Sequence, residues 1–236
     1  MVQKVEKYYS MKNKSNKHKV VMAIGAHPDD IEFGCGGTLL KHVEEGYEII
    51  YVCMTGTPSI DGTSKNKKVI RSLTQLNDEL TAACKVLKVK KCYTLTNADL
   101  HLEFNFENIS ELEKIIKKHK PSIIYTHWAG DANQDHIATF RITMAAARYV
   151  QNVLCYEQIP IARLSENNMD AHYYVDISDT FNGKIKASLA HKSQIDKYRN
   201  IGLDVVANLA ILAQYRGIQA GCGAAEAFQV IKMVKR

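Results

Sequence analysis

The chain has 236 residues, 46% hydrophobic and 24% charged, a balance that supports one sizeable core and excludes disordered, collagenous and coiled-coil proteins. No apolar run approaches the ~20 residues of a membrane span, and the mean hydropathy of -0.24 agrees. The formal charge of +6 is concentrated at one end: six lysines and one acid fall within residues 1–20, leaving 25 basic against 24 acidic residues in the body. A nucleic-acid partner, which needs a positive field on the fold itself, is therefore not expected.

In chain order, residues 1–18 read as a flexible basic tail without an apolar signal segment or an amphipathic face, so neither secretion nor membrane anchoring is expected. Residues 19–236 read as a single domain. Strands are predicted at 20–25, 48–54, 91–95, 122–126, 153–156 and 172–177, and helices at 36–45, 73–87, 108–119, 137–150, 184–198 and 203–215. The strands are near-continuous apolar runs (VVMAIG, IIYVCM, SIIYT), as expected when helices cover both sheet faces. The fold class that follows is α/β, a Rossmann-like, mostly parallel sheet flanked by helices on both faces. A polar loop at 56–68 borders the carboxyl ends of the strands and reads as either a mobile lid or a solvated loop. The six cysteines are scattered singly with no CxxC pair, which points to reduced thiols in a cytoplasmic protein. A near-neutral body and a helical C-terminal part permit a homo-oligomer without specifying one.

The first strand runs into His27-Pro28-Asp29-Asp30-Ile31-Glu32 and then Gly34-Cys35-Gly36-Gly37. The glycine spacing does not match a dinucleotide fingerprint, and two carboxylates at the turn would repel a pyrophosphate. A cation suits it better, since imidazole nitrogen and carboxylate oxygen are both good zinc ligands. Helix capping by an aspartate is the bland alternative. A second cluster, His127-Trp128-Ala129-Gly130-Asp131-Ala132-Asn133-Gln134-Asp135-His136, follows the fourth strand. With strand order 3-2-1-4 the two clusters meet in the crevice where open α/β sheets bind ligands.

His27, Asp30 and His136 make a His₂Asp set for one catalytic zinc with an open position, iron or cobalt being left open as the native metal. Asp29 is then free to take a proton from activated water. Asp135 suits an acceptor that fixes a ligand imidazole, with helix capping as its rival. Trp128 reads as a sugar-stacking or a packing residue. Asp131 reads as a substrate or loop-supporting residue.

The pattern AHPDDxE with glycines following, and then D-x-[H or N]-x-D-H, resembles the LmbE/PIG-L family of zinc-dependent N-acetylglucosaminyl deacetylases. Softer matches are Glu79 in ELTAACKVLKV, Ala190-His191-Lys192-Ser193-Gln194 and Ala225-Glu226-Ala227-Phe228. The resemblance implies His27, Asp30 and His136 as zinc ligands, Asp29 as general base, His191 at the site wall, and a small N-acetylated amino-sugar substrate. Two departures stand out. Asn133 replaces a histidine that many members carry; it can donate to an oxyanion but cannot shuttle a proton, which leaves Asp29 or His127 to protonate the amine. Leu76 stands where many members place an arginine, and Arg71 lies too far upstream to be assumed equivalent. The rival functions are a deacylase of another amide, such as an acylated antibiotic precursor or sugar nucleotide, and a non-catalytic metal-containing sugar-binding module.

Overall fold

The computed structural model describes residues 19–60, 69–158 and 169–235; the tail at 1–18 and most of the predicted loop (61–68) lie outside them. Elements follow in the order β1 (Val20–Gly25), α1 (Asp30–Glu44), β2 (Glu48–Thr55), β3 (Ser59–Ile60), β4 (Val69–Arg71), α2 (Leu73–Val86), β5 (Lys91–Asn97), α3 (Phe106–His119) and β6 (Ile123–Thr126). They continue with α4 (Gln134–Ala146), β7 (Asn152–Tyr156), β8 (Tyr173–Asp176), α5 (Phe181–Leu189), α6 (Lys192–Asn200), α7 (Val205–Ala220) and β9 (Ala225–Lys232). The seven-stranded sheet has the order β5-β2-β1-β6-β7-β9-β8. Its β5-β2-β1-β6-β7 portion is parallel, and β9 pairs antiparallel with both β7 and β8.

The apolar run of β1 is buried on both faces because its alternate side chains enter different layers. Val20, Met22 and Ile24 pack with Leu112 and Ile116 of α3 and Ile142 of α4. Val21 and Ala23 pack with Ile31 and Leu39 of α1, Leu80 of α2 and Ala187 of α5. The expected order 3-2-1-4 is what the sheet shows: β1 lies between β2 and β6, with Val21 opposite Ile123 and Ala23 opposite Tyr125.

Three elements differ from the sequence reading. Helix α1 begins at Asp30 rather than residue 36 and runs through the glycine cluster, with a kink at Cys35 (φ -141°, ψ 17°). A Cβ on Gly34 would lie 2.3 Å from the Tyr156 ring, so the poor helix propensity of that glycine is offset by close packing on the sheet. The predicted helix 184–198 is two helices, broken at Ala190–His191. The C-terminal part, expected to be helical, ends in the strand β9; its AEAF start carries no strand signature, and pairing on both edges overrides that local preference.

Candidate active site

At the end of β1 the chain turns through His27 and Pro28 into α1. The Asp29 and Asp30 amides both donate to the His27 carbonyl (3.1 and 3.4 Å) and Phe33 N donates to the Asp29 carbonyl (3.0 Å). The Asp30 carboxylate reaches back to accept from His27 N (2.6 Å). Asp29 stands at φ 154°, ψ -23°, and its side chain makes no capping hydrogen bond. That removes the capping alternative. The buried Asp29 carboxylate thus stands in a costly backbone conformation and is not used by its own helix.

Across the crevice, the β6–α4 loop builds the other half. The Asn133 Oδ1 caps α4 by accepting from Asp135 N (2.8 Å). Both Asp131 oxygens are engaged, one by Asn133 N (2.9 Å) and the other by His136 Nδ1 (2.9 Å). Asp131 thus supports the loop and orients a ligand histidine, the role the sequence suggested for Asp135. Asp135 instead serves the other histidine: its Oδ2 lies 3.0 Å from His27 Nε2, while it also accepts from Leu100 N (2.7 Å) and Leu102 N (3.2 Å).

These carboxylates decide which ring nitrogens are free. With N–H at His27 Nε2 and at His136 Nδ1, the lone pairs of His27 Nδ1 and His136 Nε2 face the Asp30 carboxylate at 3.5 and 3.4 Å. Two ring nitrogens facing one carboxylate need positive charge between them, from ring protons or from a metal ion, and a carboxylate on the remote ring N–H is the usual partner of a metal-bound histidine. His27, Asp30 and His136 have donor atoms all within 4.8 Å of one another. The sets His127, Asp131, His136 and His27, Asp99, Asp135 meet the same criterion; Asp131 and Asp135 there pair with an imidazole, as Asp30 does with His127 Nε2 (3.0 Å). The residues present therefore fit a three-ligand metal site.

Burial alone would lower His136, yet Asp30 and Asp131 outweigh it and raise it to about 9. Burial would raise Asp30, but His136, His127 and His27 hold it well below the usual carboxylate range. Asp29 goes the other way: burial first, then the neighbouring Asp30 charge, push it up to about 6, tempered by His191, Arg71 and His27. Burial and neighbouring charge thereby shift the two adjacent aspartates in opposite directions. His127 is buried and stacked on His136 with ring centroids 3.9 Å apart; burial and the His136 charge bring it down to about 4.

His191 is fully buried at the α5–α6 break, with Nε2 3.3 Å from Glu32 Oε1, and Tyr51 donates to the other Glu32 oxygen (3.1 Å). Trp128 packs with Cys155, Met169 and Ala227 and stacks under Gly130, so the structure places it in a core layer and not on an open sugar-facing surface. The softer matches also gain physical roles. Glu79 accepts from Ser193 N and Oγ (2.8 and 2.7 Å). Glu226 accepts from Gly37 N and Thr38 N (3.0 and 2.7 Å), the amides freed at the α1 kink.

Sequence reasoning missed three contributors. Gln158 Nε2 donates to Asp30 Oδ1 (2.6 Å), and Asp99 Oδ1 lies 3.0 Å from His27 Nε2. Each follows the carboxyl end of a parallel strand, β7 and β5, which is the signal that could have found them. The third is Arg71, whose guanidinium is buried beside the first cluster.

Residues 22–147 match the PIG-L family, described as GlcNAc-PI de-N-acetylase. The chain belongs to the PIG-L family. This PIG-L chain is 38% identical over 151 residues to the uncharacterized deacetylase YaiS of Escherichia coli, covering 61% of the chain and 76% of that protein. It is 28% identical over 195 residues to the diacetylchitobiose deacetylase of Thermococcus kodakarensis, covering 76% of the chain and 71% of that protein. Family and relatives support a hydrolytic N-deacetylase. The fold extends further: GalB, a 4-carboxy-2-hydroxymuconate hydratase from Pseudomonas putida, superposes with a TM-score of 0.77 at 17% identity, over 92% of this chain and 98% of that one. Fold alone does not choose the reaction; the site does.

Proposed function

We propose that residues 19–236 form one zinc-dependent hydrolase domain that removes the acetyl group from a small N-acetylated amino-sugar conjugate. The observation that carries this reading is the pairing of a converged His27, Asp30, His136 set with a neighbouring Asp29 carboxyl that no cap engages. His27, Asp30 and His136 would hold the ion, which when bound supplies Lewis acidity toward a water and the acetamide carbonyl.

Asp29, pushed up to about 6, takes the proton of the attacking water and keeps it on a carboxyl oxygen. Asn133 donates from its NH₂ to the carbonyl oxygen as that atom gains charge, and its capped Oδ1 prevents an amide flip. His127, fully buried and brought down to about 4, is neutral and walled off. The proton for the departing amine therefore comes from Asp29, which returns to the carboxylate. No single helix among the described residues is long and apolar enough to cross a membrane.

Leu76 is buried, so no polar group reaches a substrate from that position. This favours screening other acylated amines beside N-acetylglucosamine conjugates. The test is acetate release together with metal content. Asp29→Ala is expected to abolish turnover with about one ion per chain retained, and His136→Ala to lose the ion. Loss of metal in Asp29→Ala would mean that the two aspartates have been assigned the wrong way round. Full metal loading with no product from any amide would favour a non-catalytic binding module.

A further inference from the structure

The site presents an anomaly at Glu79. The position three residues ahead of it is the buried Leu76, yet a different arginine reaches the same glutamate from outside the helix. Arg71 is the last residue of β4. Its side chain is 2% exposed, with Nη1 3.4 Å from the Pro28 carbonyl oxygen and 3.5 Å from Glu79 Oε2. Glu79 is itself fixed, accepting from Gln75 Nε2 (3.4 Å) on its own helix and from Ser193 N and Oγ (2.8 and 2.7 Å) on α6. Two helices thus build a seat for the guanidinium, and what it grips from that seat is a backbone carbonyl.

That carbonyl belongs to the residue between His27 and Asp29. Asp29 stands at φ 154°, a conformation that persists only where the surroundings over-determine it. The turn's own hydrogen bonds hold the far side of Asp29 through Phe33 N (3.0 Å) and, on the entering side, only its N–H, which donates to the His27 carbonyl (3.1 Å). The peptide unit entering Asp29 has Arg71 on its oxygen.

We infer that Arg71 is a positioning residue: seated on Glu79, it holds the Pro28 carbonyl so that Asp29 keeps its strained backbone and presents its carboxyl to the reacting centre. The inference deepens the proposed function and rests on its reading of Asp29. It assigns Arg71 no contact with substrate.

The experiment uses the metal-loaded full chain with an N-acetylglucosamine conjugate. Arg71→Ala is expected to lower kcat about tenfold to a hundredfold with KM and metal content unchanged. Millimolar guanidinium ion should restore part of kcat, which a general loss of structure would not permit. Arg71→Lys, which keeps the charge without the planar fork, should recover less than the added guanidinium does. A rise in KM at unchanged kcat would overturn the inference in favour of substrate contact.

A second arm needs no turnover. Asp29→Gly removes the backbone strain, so the fall in urea midpoint caused by Arg71→Ala should shrink in the Asp29→Gly background. Additive shifts would overturn the inference. If the unaltered protein releases no acetate, the hydrolase reading fails, while the urea cycle still decides the role of Arg71.

Discussion

Replacing Glu226 by alanine tests how the C-terminal strand holds the first motif in place. Its carboxylate accepts from Gly37 N at 3.0 Å, from Thr38 N at 2.7 Å and from Lys184 Nζ at 2.5 Å. Truncation strands the Lys184 ammonium, 3% exposed, with the Phe33 carbonyl at 2.7 Å as its remaining hydrogen-bond partner among the described residues. Removing one partner of a buried pair costs about 3–5 kcal/mol. The two helix amides share the lost carboxylate with Lys184, so their cost overlaps that figure and does not add to it. Against a typical total stability of about 5–15 kcal/mol, this is a large fraction.

Urea unfolding followed by tryptophan fluorescence is the assay. Trp128 is the single tryptophan and packs against Ala227 of the same strand, so it reports locally. The midpoint should fall with little change in m-value. Adding Lys184→Met to Glu226→Ala removes the stranded charge and should recover about 1–3 kcal/mol. A loss below about 1 kcal/mol for Glu226→Ala, or a further loss on adding Lys184→Met, would refute the reasoning.

Other outcomes follow from the same geometry. Asp131→Asn and Asp135→Asn should each weaken metal binding about 10–100-fold in competition with a chelating dye, the first through His136 and the second through His27; an unchanged affinity in both would remove the orientation argument. Gly34→Ala forces a methyl against the Tyr156 ring, 2.3 Å from Cδ2, and should cost about 1–3 kcal/mol. Tyr156→Leu in that background should then cost less than it does alone, read as the shift in thermal midpoint. Chelation of the metal should lower the thermal midpoint of the unaltered protein, and His136→Ala should make it indifferent to chelator.

The parallel half of the sheet was legible because its strands are apolar on both faces, and because His/Asp clusters at the ends of β1 and β6 needed only the strand order to meet. The roles within the clusters were less so. Sequence adjacency suggested that Asp135 serves a neighbouring ligand histidine, whereas its oxygen lies against His27, 108 residues away. Arg71 was set aside on spacing, because its approach depends on β4 and on a glutamate held by another helix. The strand β9 was illegible for a different reason: its alanines and glutamate favour a helix locally, and only two flanking strands make it extended. Trp128 had two equal readings from sequence; in the fold it packs against Met169 and Ala227.

The coupling of His27 to the helix that carries His136 constrains how such a chain can be recombined. His27 comes from the first third of the sequence, but the carboxylate on its remote nitrogen comes from the helix that carries His136. A crossover between 100 and 130 would therefore split one functional object even though it spares every ligand. Hybrids joined there from two relatives should fold and still bind metal poorly unless the incoming segment restores the geometry of Asp135 to His27. The unit that has to be kept together is the pair of strand ends, not either motif.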